Sequence, residues 1–376
     1  MPAIEPNISP SVINLADRIH QADSTGKCVC IQGAGTHSFG TTNGELLSTL
    51  DLNAVVDYAP DDMTITVEAG LPWNELQNTL KTHRQWLPIE PSVSAKSTVG
   101  GVVASNGSGC SRYRYGTARN WLLGARFVTA NGEIVHSGSK VVKSVAGYDL
   151  HKLLIGSFGS LAAIAELTFK VAPVPEQRTI ALVKGEMPAS SLSQITSKLH
   201  PLLPSFVVYG NKRFTSGILH EADPCIVIGF DGFAEDVAAQ VKGLRELLAA
   251  QELQIVSNEQ EINKLYSAIT SFTFNKPEAI RIGSLPSDIA KFIPLVEQSP
   301  ALIDLANGTA DIVPATENIS ALSQMITSNG LRGVYLWQNE KPVLAGAVPE
   351  AEKKLARRLK ETFDPHGVFN QRGYYL

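Results

Sequence analysis

The sequence predicts an α+β protein with two domains, and three observations support this. The chain has 376 residues, enough for two domains that each bury a sizeable core. Residues 28–171 combine strand-like runs with three glycine-rich loops. Beyond Pro173 and Pro175 glycine thins out and helical patterns lengthen. We therefore expect a first domain over residues 1–174 and an α+β layer over 175–330, followed by a C-terminal segment over 331–376.

The first elements of the chain follow from periodicity. A helix-like lead runs from Val12 to His20, and "KCVCIQGAGTHSFG" is typical of a strand that enters a glycine loop. "LNAVVDYAP" and "MTITVEAG" are strand-like. Apolar Trp73, Leu76 and Leu80 lie three and four positions apart, which predicts a helix in "LPWNELQNTLKTHRQ".

The glycine-rich stretch from Ser97 is predicted to form turns followed by a hairpin. In "LLGARFVTANGEIVHSG" the pair Asn131-Gly132 separates two β-prone runs, the usual composition of a tight hairpin turn. "GYDLHKLLIGSFGSLAAIAELTFKVAPVP" then predicts a short helix, a glycine turn and a strand. In the cap, the order strand, helix, strand, strand, helix is expected up to "AEDVAAQVKGLRELLAA", and "AEKKLARRLKETF" predicts a helix near the C-terminus.

Composition excludes several classes of protein. The net charge is -4 and the pI is near 6.1, whereas general nucleic-acid binding requires a basic face. No apolar run is long enough to cross a bilayer, and the N-terminus lacks the pattern of a signal peptide. We expect a cytoplasmic protein, with attachment to the inner face of a membrane left open only through a partner.

The cysteines and histidines do not predict a metal site. The four cysteines, Cys28, Cys30, Cys110 and Cys225, form no C-x-x-C pair, so neither a zinc site nor a complete iron–sulfur site is indicated. The eight histidines are dispersed along the chain. Scattered thiols are typical of a reducing compartment.

The glycine loops are the strongest indication of a ligand. "GAGTHSFG" at Gly33–Gly40 does not fit the dinucleotide-binding fingerprint, because Ser38 replaces the third glycine and no amphipathic helix follows. Taken alone, this loop is either an anion-binding turn or a plain strand-to-strand turn. Five glycines between Thr98 and Gly116, and another glycine turn at Gly156–Gly159, favour one long ligand that lies against all three loops.

These motifs resemble a known family. "IQGAGTHSFG", "STVGGVVASNGSGCSRYRYGTARNWLLGARFVTANGEIV", "KSVAGYDLHKLLIGSFGSLAAIAELTFKV", "RIGSLPSD" and "FDPHGVFN" are similar to those of FAD-binding subunits of glycolate oxidase, in the vanillyl-alcohol oxidase/p-cresol methylhydroxylase superfamily. The first three motifs cover most of residues 28–171. The resemblance implies an FAD-binding domain of the p-cresol methylhydroxylase type over residues 1–174, built from two α+β subdomains. It further implies a short α+β cap over 175–330 and a C-terminal segment, 331–376, that returns to the FAD-binding domain.

The resemblance also implies the cofactor-binding residues. The first motif would hold the FAD pyrophosphate, and the implied residues there are Gly33, Ala34, Gly35, Thr36, His37 and Ser38. The second would line the flavin and diphosphate, through Pro91, Ser92, Thr98, Val99, Gly100, Gly101, Ala104, Ser105, Asn106, Gly109, Arg112, Tyr115 and Gly116. The third motif and the C-terminus would contribute Tyr148, Gly156, Gly159, Leu161, Ile164 and Asn370.

Some of these residues have a second interpretation. Relatives that attach FAD covalently use a histidine of the first loop, but Thr36 stands at that position here, so non-covalent FAD is expected and His37 would contact phosphate or solvent. Cys110 is interpreted as structural. Arg112 is alternatively a solvated surface charge, and Tyr148 a core aromatic.

The family further implies a place in a complex. Such a subunit works beside a larger FAD-containing glycolate oxidase subunit and an iron–sulfur subunit, and takes part in the oxidation of glycolate to glyoxylate. The histidine-rich metal motif of related caps has no equivalent here. Arg281 is the candidate contact for a substrate carboxylate, with a structural salt bridge as its alternative. A non-catalytic FAD-carrying electron conduit and a stand-alone flavin oxidoreductase are the competing hypotheses.

Overall fold

The computed structural model describes residues 8–36, 44–92, 96–139, 148–249, 251–274, 276, 278–315, 318–335, 343–346 and 348–369. The described residues fall into two compact units. Unit 1 comprises residues 1–107, 117–174 and 348–376, and unit 2 comprises residues 108–116 and 175–347.

The strands and helices are numbered in chain order. The strands are β1 (Val29–Gln32), β2 (Glu45–Ser48), β3 (Val55–Ala59), β4 (Thr64–Glu68), β5 (Gln85–Trp86), β6 (Leu122–Val128), β7 (Ile134–Gly138), β8 (Ala163–Lys170), β9 (Ala172–Pro173), β10 (Gln177–Lys184), β11 (Phe206–Gly210), β12 (Cys225–Gly232), β13 (Glu252–Val256), β14 (Ile280–Gly283), β15 (Ala301–Asp304), β16 (Thr309–Ile312), β17 (Arg332–Tyr335) and β18 (Val343–Ala345). The α-helices are α1 (Pro10–Ser24), α2 (Trp73–Lys81), α3 (Val99–Ser105), α4 (Arg112–Tyr115), α5 (Ala118–Trp121), α6 (Ala189–Leu199), α7 (Lys212–Phe214), α8 (Ala234–Leu247), α9 (Glu259–Thr270), α10 (Ile293–Val296), α11 (Ile319–Ser328) and α12 (Glu350–Phe363).

Unit 1 contains a five-stranded antiparallel sheet in the order β3-β4-β8-β6-β7. The predicted hairpin is confirmed as β6 and β7, with Gly132 at φ +83° in the turn. The predicted helix is confirmed as α2, because Trp73, Leu76 and Leu80 are buried on one face. The stretch from Ser97 differs from its prediction, since helix α3 stands where we expected glycine turns.

A smaller sheet of unit 1 leads directly to the first glycine loop. Strands β1 and β2 pair in parallel, and the chain enters Gly33 at the end of β1. The C-terminal segment returns to this sheet, because the Val29 N–H donates to Val368 O at 2.7 Å and Val29 pairs with Phe369. The start of β1 is therefore held by the residues that follow α12.

Unit 2 contains a nine-stranded antiparallel sheet in the order β13-β10-β12-β11-β15-β16-β14-β17-β18. The predicted order from β10 through α6, β11 and β12 to α8 is confirmed. Apolar residues of α6, α8 and α11 pack on one face of the sheet with Val207 and Ile303. Residues of α7 and α9 pack on the other face with Phe206 and Val208. Helices and sheets together confirm the α+β fold class.

Candidate functional site

The main candidate site is an open cleft in unit 1 with an empty volume of about 720 Å³. Three glycine-containing segments form most of its wall, and residues of neighbouring strands complete it. The described lining residues are Ile31, Gln32, Gly33, Ala34, Gly35, Thr36, Thr49, Ala69, Thr98, Gly100, Gly101, Ala104, Ser105, Phe158, Gly159, Ala162 and Ile164. The cleft therefore brings together the three loops that the sequence indicated as one ligand site.

The first segment, Gly33–Thr36, presents backbone donors to the cleft. Within the described part of the chain, the N–H groups of Gly33, Ala34 and Gly35 have no hydrogen-bond acceptor. A Cβ at Gly33 would lie 2.3 Å from Thr98 Oγ1, so this position admits only glycine without a shift of Thr98. This segment can therefore donate backbone N–H groups to an anionic ligand.

The second segment is helix α3, whose first backbone N–H groups already have hydrogen-bond acceptors within the chain. The N–H of Val99 donates to Leu71 O, that of Gly100 to Ala69 O at 2.7 Å, and that of Gly101 to the capping Thr98 Oγ1 at 3.2 Å. The backbone N–H groups of both paired glycines therefore have acceptors within the chain.

The paired glycines of α3 are nevertheless required for close packing. A Cβ at Gly100 would lie 2.7 Å from Ala69 Cβ and 2.9 Å from Ala69 O, so Gly100 lets the helix approach the end of β4. A Cβ at Gly101 would meet only Thr98 Oγ1, at 3.0 Å. We conclude that Gly100 serves packing and that Gly101 keeps the cleft wall flat.

The third segment, Phe158–Ala162, lies against β1, the strand that leads into the first segment. Gly159 has φ +71°, and a Cβ added there would lie 3.5 Å from Ile31 Cβ, so Gly159 lies close to Ile31. The Phe158 N–H donates to Ala104 O at 2.9 Å, which joins the third segment to α3. These contacts make the three walls one continuous surface.

Some implied residues of unit 1 do not line the cleft. Val99 is fully buried in the core below it, and Leu161 is buried at 8% exposure. Tyr148 is 91% exposed, so its interpretation as a core aromatic is wrong. The remaining residues of this group lie outside the described lining and are Pro91, Ser92, Asn106 and Gly156.

Residues implied by the second motif also occur in unit 2. Gly109, Arg112, Tyr115 and Gly116 lie in the segment 108–116. Arg112 Nε lies 3.8 Å from Asp304 Oδ2, and its Nη2 donates to Thr309 Oγ1 at 3.1 Å.

Tyr115 and Arg281 each donate hydrogen bonds to an aspartate. The Tyr115 hydroxyl donates to Asp231 Oδ2 at 3.2 Å. Burial, together with the negative charge of Asp231, raises the pKa of Tyr115. Arg281 donates to both carboxylate oxygens of Asp311, at 2.6 and 2.8 Å. Each of these side chains therefore has an acidic partner inside unit 2.

Three implied residues, His37, Ser38 and Asn370, lie outside the described residues. Sequence reasoning in turn did not name six residues of the cleft wall, which are Ile31, Gln32, Thr49, Ala69, Phe158 and Ala162. Ile31 and Gln32 directly precede the first glycine loop, so their position could have indicated them. Thr49 and Ala69 come from other parts of the chain, and only the folded structure brings them to the site.

The described lining fits a large, flat, phosphate-bearing ligand such as a flavin nucleotide. Glycine, alanine, serine and threonine make up most of the wall, and the first segment offers backbone donors for phosphate. The described lining residues carry no ionisable side chain. Over the same described ranges, no group of three or more histidine, cysteine or acidic residues could hold a metal ion. None of the helices built from described residues has the length and hydropathy to span a membrane.

Comparisons with known proteins agree with this geometry. Residues 11–138 match the family model of the FAD binding domain. The chain is 28% identical over 360 residues to glycolate oxidase subunit GlcE of Escherichia coli, and the match covers 95% of each chain. It is 27% identical over 297 residues to glycolate oxidase subunit GlcD of Bacillus subtilis, covering 73% of this chain and 63% of that relative.

A solved structure supports the fold. The structure of p-cresol methylhydroxylase with substrate bound superposes with a TM-score of 0.74 at 15% sequence identity, covering 96% of this chain and 86% of that one. At this level of identity the match concerns the fold alone. The predicted fold of the p-cresol methylhydroxylase type is thereby confirmed.

Proposed function

Because residues 11–138 belong to the FAD binding domain family, we propose that this chain is the FAD-binding subunit of an oxidase or dehydrogenase complex for 2-hydroxy acids, with glycolate as substrate. The observation that carries the proposal is the match to the GlcE subunit over 95% of both chains. GlcE and GlcD are both named as subunits of glycolate oxidase, which supports a complex of several subunits. A larger FAD-containing subunit and an iron–sulfur subunit complete this proposal. Contact with the inner face of a membrane would then come through these partners.

The chain's own residues bind and orient the cofactor. Unit 1 is the proposed FAD-binding domain, with the N–H groups of Gly33–Gly35 on the diphosphate and the flat wall at Gly101 and Gly159 beside the rings. Unit 2 is the proposed cap. FAD, when bound, supplies the two-electron acceptor for the conversion of a 2-hydroxy acid to a 2-oxo acid. We propose non-covalent binding, since Thr36 stands where relatives that attach FAD covalently have a histidine.

Arg281 remains the proposed contact for the substrate carboxylate. Its guanidinium is paired with Asp311 through two hydrogen bonds, so a substrate carboxylate would have to compete with that pair or share it. Val99 and Leu161, which are buried in unit 1 and lie outside the described lining, are proposed as support for the cleft wall.

One observation favours a second candidate function. The described residues of the cleft include no acid, base or metal ligand, although oxidation of a hydroxyl group requires a group that accepts its proton. A subunit whose FAD only conducts electrons between partners would need no such group. This electron-conduit function is therefore the alternative.

Cofactor binding is tested by titrating the flavin-free chain with FAD and following flavin fluorescence. Gly33→Ala forces a Cβ against Thr98, the buried N-cap residue of α3, so we expect FAD to bind at least about tenfold more weakly. The matched control is Gly107→Ala, where the nearest atom to the new Cβ is Ser105 Oγ at 3.4 Å, and it should bind FAD as the wild type does. Equal affinity in wild type and Gly33→Ala would show that FAD does not use this cleft.

Activity is tested by purifying the chain with its cellular partners and measuring dye reduction with glycolate. We expect reduction by the complex and its loss when this subunit is omitted. D-lactate, a larger 2-hydroxy acid, measures the breadth of the substrate class. Glycolate-dependent reduction by the isolated chain would refute the need for partners, and unchanged reduction without this subunit would refute its participation.

A further inference from the structure

Helix α12 carries a buried lysine with three acceptors. The Lys360 side chain is 9% exposed, and its Nζ donates to Asp364 Oδ2 at 2.5 Å, to Ser160 O at 2.8 Å and to Phe369 O at 2.7 Å. A lysine ammonium has three N–H donors, so all of them are used. The single charge is neutralised by the fully buried carboxylate of Asp364.

The two carbonyl acceptors lie in different parts of unit 1: one is in the third segment of the cleft wall, and the other is in the C-terminal segment that pairs with β1. Ser160 lies inside the third segment, Phe158–Ala162, directly after Gly159. Phe369 pairs with Val29 at the start of β1, and the other end of β1 leads into Gly33. Lys360 therefore connects the third segment with the strand that presents the first segment.

Asp364 fixes the same turn from the other side. Its Oδ1 accepts from the Val368 N–H at 2.7 Å, and its Oδ2 accepts from the Phe369 N–H at 2.8 Å. These bonds hold the two residues that meet β1. The ion pair thus determines where the C-terminal segment lies on the small parallel sheet.

None of this cluster reaches the cleft itself. Neither α12 nor residues 364–369 contribute to the described lining. The two parts that Lys360 connects, the third segment and β1, lie close together at the cleft, where a Cβ added at Gly159 would be 3.5 Å from Ile31 Cβ. A shift of either segment would change the spacing between the backbone donors at Gly33–Gly35 and the wall at Gly159.

We propose that the Lys360–Asp364 pair is a positioning device for the cofactor cleft, which holds the first and third segments at the spacing that FAD requires. This rests on the proposed binding of FAD in the cleft. Lys360 is a positioning residue, since it acts through Ser160 and Phe369. Its replacement should lower FAD affinity although it lies outside the wall.

The test compares Lys360→Met with Lys353→Met. Lys353 lies on the same helix in an exposed pair with Glu350 at 2.7 Å, so its replacement removes a charge of the same kind outside the cluster. We expect Lys360→Met to bind FAD about tenfold more weakly, because two buried carbonyls and Asp364 lose their donor. Lys353→Met should bind FAD with wild-type affinity.

A second readout separates positioning from general stability. FAD raises the melting temperature by an amount set by its concentration and affinity. A purely structural lysine would lower the melting temperature of the apo and FAD-bound forms equally. If Lys360 positions the cleft, its replacement also reduces the rise in melting temperature that FAD causes. For a tenfold loss of affinity, this reduction corresponds to about 1.4 kcal/mol of stabilisation by FAD.

The isosteric variant Asp364→Asn gives a second route to the same comparison, should Lys360→Met fail to fold. It removes the negative charge while keeping the shape of the side chain, and it should also reduce the rise in melting temperature that FAD causes. A folded Lys360→Met or Asp364→Asn protein with wild-type FAD affinity would overturn the proposal. Failure of the wild type to bind FAD would instead refute the proposed function.

Discussion

The buried imidazole of His151 shows how one residue of unit 1 is controlled by its surroundings. His151 is 1% exposed, and its Nδ1 lies 3.1 Å from Ser137 Oγ. Burial lowers the pKa of His151, and the negative charge of Asp149 opposes this. Other nearby charges lower the pKa further, namely those of Lys152, His136 and Arg119. His151 is therefore held in its neutral form in the folded chain.

We predict that His151 makes unit 1 less stable in mild acid. Its pKa in the unfolded chain is the ordinary value of 6.5 and is lower in the folded chain, so below pH 6.5 the unfolded chain binds the extra proton. Stability is therefore lost as the pH falls from that value through the folded pKa. His151→Gln removes this loss. The free energy of unfolding, measured by urea denaturation between pH 8 and 5, should therefore fall less steeply with pH than in the wild type, by at most about 1.4 kcal/mol per pH unit.

His83→Gln is the control for this measurement, because His83 is an exposed histidine of unit 1 that is not among the charges acting on His151, so this variant should keep the wild-type slope. Equal slopes for wild type and His151→Gln would contradict the assignment of the acid sensitivity to His151.

At the residue scale, the glycines that the sequence indicated as ligand contacts have different uses in the structure. Gly33, Gly100 and Gly101 all line the cleft. The N–H of Gly100 nevertheless donates to Ala69 O, and its missing Cβ lets α3 approach Ala69. A glycine needed for helix packing and one needed for a ligand look alike in a sequence, because the difference depends on a neighbour from another part of the chain.

At the scale of elements, α4 is tied to the sheet of unit 2 by charge. Asp304 at the end of β15 and Thr309 at the start of β16 are register partners, and both face Arg112. Burial raises the pKa of Asp304 and lowers that of Arg112, so each charge would be costly without the other. Asn307 also donates to both oxygens of Asp304.

We predict a strong coupling between Arg112 and Asp304. Arg112→Met leaves the carboxylate without its cation and should lower the free energy of unfolding by about 2 kcal/mol, less than for a fully buried pair because Arg112 is partly exposed. Adding Asp304→Asn to this variant should recover most of the loss, as measured by urea unfolding followed by circular dichroism.

Arg114→Met is the matched control for the coupling, since Arg114 is an exposed neighbour on the same helix and should change stability little. Additive effects of the two substitutions would contradict the coupling. FAD affinity of the double variant adds a separate result: a loss that persists after stability is recovered would support Arg112 as a cofactor contact.

The elements that the sequence predicted correctly are those with strong local patterns. Helix α2 has a regular apolar face, and the β6–β7 hairpin has Asn131-Gly132 in its turn. Helix α3 was not predicted, because paired glycines disfavour a helix and its stability comes from Thr98 at its N-terminus and from packing on Ala69. The strands from β13 onward were not placed, since they are short and find their pairs across the nine-stranded sheet.

At the scale of the whole molecule, each of the two units is built from stretches that are not continuous in the sequence. Residues 108–116 belong to unit 2 although unit 1 continues on both sides of them, and the chain returns to unit 1 at residue 348. Pro173 and Pro175 mark one of these boundaries between the units in the sequence. The boundaries at residues 107 and 116 lie within the glycine-rich stretch, where the composition does not change, so they could not be predicted.

This division predicts that FAD stabilises the units unequally. The described cleft residues all belong to unit 1, so FAD should raise the urea midpoint of unit 1 more than that of unit 2. Three of the four tryptophans, Trp73, Trp86 and Trp121, are in unit 1, and their fluorescence reports mainly its unfolding, whereas circular dichroism reports both units. We expect the two transitions to move apart when FAD is added, and we expect Gly33→Ala to abolish the separation. Coincident transitions with and without FAD would show instead that the two units unfold as one.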